Sequence, residues 1–158
     1  EEKVKIEKIN SFDRNEIITQ ETKILCLRWL SNYAACGPDF INNLLENQMH
    51  TKILDNFDEM LTPLKIECGY CFAISIIEGN QEQANYFSDE YSIQLMFDCL
   101  EAGDENLNFA ILNSFSKLID MKPDVLAFID PSLIDSVANE FSSNAGIISN
   151  AQKILSYF

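Results

Sequence analysis

Laid over itself at a displacement of 42 residues, the chain repeats its own landmarks. Gly79 falls on Gly37, Tyr86 on Leu44, Phe87 on Leu45, Leu95 on Ile53 and Met96 on Leu54. Displaced forward by 41, the same unit meets a further copy. Ile66 falls on Leu107, Gly69 on Ala110, Phe87 on Phe128, Asp89 on Asp130 and Ile93 on Ile134. The last stretch continues the series, with Leu107 on Ile148 and Ala110 on Ala151. A unit of this length cannot bury its apolar face alone, so it must stack on its neighbours and share a core with them.

Within each unit the apolar period is helical. Ile53, Leu54, Phe57, Met60 and Leu61 fall on one helix face, and Ile93, Met96 and Leu100, then Ile134, Val137 and Phe141, repeat the spacing. No segment alternates in the manner of a half-buried strand. With 5 Gly and 4 Pro in 158 residues, the chain is also too poor in turn formers for many short strands. The spacing predicts three helices per unit. Short first helices lie at 38–46, 81–88 and 123–129, second helices at 50–61, 91–102 and 132–142, and long third helices at 62–78, 104–120 and 146–158. Pro38 and Pro123 suit a first helical turn, where the missing N–H has no partner to lose. Thr62-Pro63 and Asp104 sit where N-terminal caps belong. Residues 3–12 read as one more second helix and 16–36 as one more third helix. The expectation is a single all-α domain with units at 1–36 (partial), 37–78, 79–121 and 122–158. The period and the three-helix unit are those of armadillo repeats, which predicts a right-handed superhelix of about three and a half repeats with third helices lining its concave side. The open first half-unit reads as part of a longer solenoid.

Charge narrows the partners. There are 11 Lys+Arg against 25 Asp+Glu, a formal net charge of −14. A chain this acidic lacks the positive face that neutralises phosphates, which disfavours nucleic acid and anionic membranes and favours basic protein segments. The longest apolar run, 70–77, is far short of the roughly 20 residues of a spanning helix. Five cysteines lie inside apolar stretches without a secreted framework's spacing, as expected of reduced thiols in the cytosol or nucleus. Cys68 and Cys71 form a C-x-x-C, but a zinc site needs about four ligands and the sole histidine, His50, begins another helix. Both thiols are therefore expected to be structural, with no metal or cofactor, and His50 to lie on the surface. No phosphate loop, nucleophile elbow or paired-carboxylate motif is present, so a binding protein is expected rather than an enzyme.

Three stretches are similar to the importin-alpha family. They are 67–79 with 82–87 (ECGYCFAISIIEG, EQANYF), 96–100 with 109–113 (MFDCL, FAILN), and 148–158 (ISNAQKILSYF). The resemblance implies the C-terminal armadillo repeats of a nuclear import adaptor, shared between cytoplasm and nucleus. It implies a concave groove that takes Lys/Arg-rich localisation signals in extended form, and contact with a karyopherin-type receptor. In that family Trp/Asn pairs spaced i, i+4 on each third helix sandwich Lys stems and hold the peptide backbone. The matching positions here are Arg28 with Asn32, Tyr70 with Ile74, and Ile111 with Phe115, and Glu78 follows one turn after Ile74. No intact Trp/Asn pair remains, and Trp29 is one residue off the position. The groove expected from these matches is therefore lined by Arg28, Asn32, Tyr70, Ile74, Glu78, Ile111 and Phe115. The alternative is an armadillo scaffold for protein–protein contact with no role in nuclear transport.

Overall fold

The computed structural model describes residues 19–102 and 104–158, and among these every regular element is a helix. In chain order they are α1 (Gln20–Ala34), α2 (Pro38–Glu46), α3 (Met49–Asn56) with a 3₁₀ turn at Phe57–Glu59, α4 (Thr62–Glu78), α5 (Gln81–Ala84) and α6 (Glu90–Leu100). Then come α7 (Glu105–Met121), a 3₁₀ turn at Pro123–Phe128, α8 (Pro131–Glu140) and α9 (Ala145–Leu155). The helix expected at 3–12 lies outside the described residues.

Local chemistry sets these boundaries. Gly37 takes φ +110°, a conformation that L side chains rarely adopt, so that Pro38 can open α2. Asp89 and Asp130 cap α6 and α8 by accepting from Ser92 N and Ser132 N, and Asp104 caps α7 by accepting from Leu107 N at 2.9 Å. Two expectations need correction. Thr62 lies inside the first turn of α4, whose cap is Leu61 with no side-chain bond. The segment after Pro123 winds as a 3₁₀ turn instead of an α-helix.

The long helices pack in series, α1 on α4, α4 on α7 and α7 on α9, while α6 packs on both α4 and α7. One continuous core runs from Leu27 to Ile154. Polar ties between successive segments recur at nearly one unit's separation. Gln83 donates to Pro38 O at 2.7 Å and to Asn42 Oδ1 at 2.6 Å. The Lys117 ammonium reaches the carbonyls of Ile77 and Gly79 at the end of α4, and Asn144 donates to Glu105 Oε1 at 2.9 Å. The Lys117 contact gives the C-terminus of α4 the cation that its own last turn lacks.

The burial pattern reveals the register of the long helices. Moving α1 forward by 42 residues carries buried Leu27, Leu30, Ser31 and Ala34 onto buried Gly69, Phe72, Ala73 and Ile76. Moving α4 forward by 43 carries every buried residue of that helix onto a buried residue of α7, including Leu64 to Leu107, Cys68 to Ile111 and Phe72 to Phe115. The displacement of 41 holds for the second helices, where Asp89 and Asp130 are equivalent caps, but not for this pair of third helices.

Candidate functional site: the groove between α1 and α4

An open groove of about 630 Å³ lies between α1 and α4 and reaches the N-terminal cap of α7. From α1 it takes Ile24, Arg28 and Asn32, three residues one turn apart and therefore on one helix face. From α4 it takes Pro63, Ile66, Glu67, Tyr70 and Ile74, again at one-turn spacing, and Asp104 closes the end. Arg28, Asn32, Tyr70 and Ile74 thus converge on one surface.

The other three expected residues do not. Ile111 and Phe115 are fully buried at 0% exposure, and Phe115 packs against Phe97 with ring centroids 5.1 Å apart and planes inclined by 42°. They are core, because α7 is displaced from α4 by 43 residues; the outward equivalents of Tyr70 and Ile74 are Asn113 and Lys117, both half-buried. Glu78 is exposed at the last position of α4 and is not part of the groove lining.

Electrostatics within the groove centre on Glu67. Its side chain is 10% exposed, whereas that of Arg28 is 57% exposed. Arg28 Nε donates to Glu67 Oε1 at 3.1 Å, and Arg28 Nη2 donates to the same oxygen. Hydrogen bonding to Glu67 raises the Arg28 pKa further above its ordinary value. Tyr70 Oη donates to Asp104 Oδ1 at 3.3 Å. Its hydroxyl is therefore tied to the α7 cap instead of turned to water. Burial, followed by the charge of Asp104, pushes Tyr70 up to about 12. Asn32 is exposed, so its amide is accessible from the groove. Sequence reasoning missed Glu67, Asp104, Ile24 and Ile66 as groove residues. The available signal was Glu67 itself, an acid set between apolar residues of α4, where a buried carboxylate requires a partner.

The remaining candidates fall outside the groove. Trp29 is exposed and stacks on Tyr33 at 4.9 Å. His50 is not the surface residue expected. Its ring packs edge-on to Tyr86 and Phe87, and burial lowers its pKa against the smaller pull of Asp89. Among the described residues no group of three or more His, Cys, Asp or Glu is placed to hold a metal ion. No described helix is long and apolar enough to cross a membrane.

Cys68, Cys71 and Cys99 are buried free thiols. Burial pushes Cys71 and Cys99 up to about 12 each and raises Cys68 as well. An unfolded thiol ionises near the ordinary 9.0. Between that value and about 12 the folded chain binds more protons than the unfolded one, so stability falls as pH rises through this window. Urea midpoints are expected to be level up to about pH 8 and to drop by pH 10. Cys71→Ala should show a smaller drop over the same interval, and equal drops would mean that Cys71 ionises freely in the folded chain.

No protein family, no curated protein and no solved structure matches the chain.

Proposed function

We propose that the chain is an armadillo-type repeat module of an adaptor, similar in role to the importin-alpha family, that binds an extended segment of a partner protein in the groove between α1 and α4. The observation that carries this reading is the convergence of Arg28, Asn32, Tyr70 and Ile74 on one open surface. Serial packing of the long helices and their repeated burial pattern support the armadillo arrangement. Asn32 offers a donor and an acceptor to a peptide backbone. Ile24, Ile66 and Ile74 offer apolar surface to aliphatic stems. The net charge of −14 steers basic segments towards the protein, an attraction screened beyond about 8 Å at physiological salt.

Titration of fluorescently labelled Arg/Lys-containing peptides tests the reading. Asn32→Ala should weaken binding about fivefold, the loss of one peptide hydrogen bond, and leave the melting temperature unchanged. Full affinity in that variant, or no binding of any such peptide to the parent chain, would overturn the proposal. The scaffold reading, with no role in nuclear transport, gains from the burial of Ile111 and Phe115, which leaves no third pair on this surface. Equal affinity for basic and non-basic extended peptides would favour it.

A further inference from the structure

From the unequal burial of Arg28 and Glu67 we infer that Arg28 is an internal stand-in for an arginine of the bound partner, and that Glu67 is the groove's receptor for that arginine. This inference rests on the groove reading above and names the chemistry that the groove selects.

The two partners of the ion pair are not equivalent. The Glu67 side chain is held by α4 and only 10% exposed, whereas more than half of the Arg28 side chain is in contact with solvent. Arg28 loses little by swinging into water, because its guanidinium is then fully hydrated. A buried carboxylate deprived of its partner carries a large desolvation penalty. An occupant that displaces Arg28 must therefore bring its own cation to Glu67.

The geometry of the existing pair indicates which cation. Both donated bonds come from the guanidinium fork and fall on Oε1, so Oε2 takes no part in the pair. A planar fork can reproduce these two bonds or span both oxygens, whereas an ammonium offers a point charge without that fork. The walls on either side are apolar, formed by Ile24, Ile66, Ile74 and Pro63. The ligand class is an extended segment with one arginine flanked by aliphatic residues, its backbone within reach of Asn32. This is more selective than a general affinity for lysine-rich sequence.

Such an arrangement makes binding an exchange of one guanidinium for another. The parent chain's apparent affinity is reduced by the fraction of time Arg28 occupies Glu67. Removal of Arg28 lifts that competition and leaves the receptor carboxylate waiting for a ligand.

The test uses a short peptide, Ile-Ile-Arg-Ile-Asn, and two relatives in which lysine or neutral citrulline replaces the arginine. Arg28→Ala should be less stable than the parent, should bind the arginine peptide about tenfold more tightly, and should recover melting temperature when the peptide is added. Arg28→Lys keeps a charge on Glu67 and so guards against failure to fold; it should show a smaller gain. Adding Glu67→Gln to Arg28→Ala should abolish the gain, and the citrulline peptide should show none in any variant. Equal or weaker binding by both Arg28 variants, or a gain shared by the citrulline peptide, would overturn the inference. If the parent binds and Asn32→Ala weakens it while both Arg28 variants change nothing, the stand-in role falls and the groove stands. If no variant binds any peptide, both fall together.

Discussion

Phe115→Ala is expected to destabilise the chain by about 3–5 kcal/mol, whereas Asn113→Ala, two positions away on the same helix, should cost less than about 0.5 kcal/mol. Phe115 is at 0% exposure and packs against Phe97 across the junction of α6 and α7. Removing its ring leaves a cavity between elements that are themselves held on α4, so the walls cannot collapse to fill it. Asn113 is half-buried on the outward side of α7. Urea denaturation of the two variants decides between registers. A loss below 1 kcal/mol for Phe115→Ala, with a larger one for Asn113→Ala, would place α7 in the rotated setting that the repeat arithmetic first suggested.

That pair of variants marks where the sequence was legible and where it was not. The helical period and most helix boundaries follow from local chemistry. The helix expected at 62–78 is α4, and the cap expected at Asp104 is present, whereas the caps at Asp89 and Asp130 were not foreseen. The register of α7 depends instead on a loop. Two residues, Met60 and Leu61, separate the 3₁₀ turn from α4, whereas residues 101–104 separate α6 from α7. Two extra residues turn a helix by about 200°, which exchanges its buried and exposed faces. Ile111 and Phe115 therefore moved from the expected groove into the core. Arg28, Asn32, Tyr70 and Ile74 stayed together because the α1-to-α4 displacement is the 42 residues read from the sequence. Glu67 was a different kind of omission. Its partner lies 39 residues away on another helix, and no local pattern joins the two.

Gly69→Val is expected to cost about 3 kcal/mol, at the upper end of what overpacking a close helix contact produces. A Cβ built at Gly69 meets Cys99 Cβ and Sγ at 3.0 Å and Leu107 Cδ1 at 3.1 Å. The first of these atoms is fixed to the α6 backbone, so it cannot swing aside. Cys99 Sγ also donates to Lys65 O at 3.2 Å, one turn earlier on α4, which pins the two helices at this distance. Alanine in a helix interior gains about 1 kcal/mol over glycine from backbone entropy. That gain offsets part of the crowding in Gly69→Ala, but not the two further methyl groups of valine. The mechanism predicts a coupling: Cys99→Ala removes the sulfur in the way, so Gly69→Ala should be more favourable by about 0.5–1 kcal/mol in that background than in the parent. Thermal or urea melts of the four chains close the cycle, and additive effects would mean that the contact does not set the spacing. The consequence extends to the groove. Tyr70 follows Gly69 directly, and its hydroxyl bridges to Asp104 at the cap of α7. Wedging α6 and α7 away from α4 should admit water to Tyr70, relieving the burial that chiefly raises its pKa, and stretch the 3.3 Å bond to Asp104. Gly69→Val should therefore move the Tyr70 pKa towards 10.0, a change that absorbance titration referenced to Tyr70→Phe reads separately from the loss of stability.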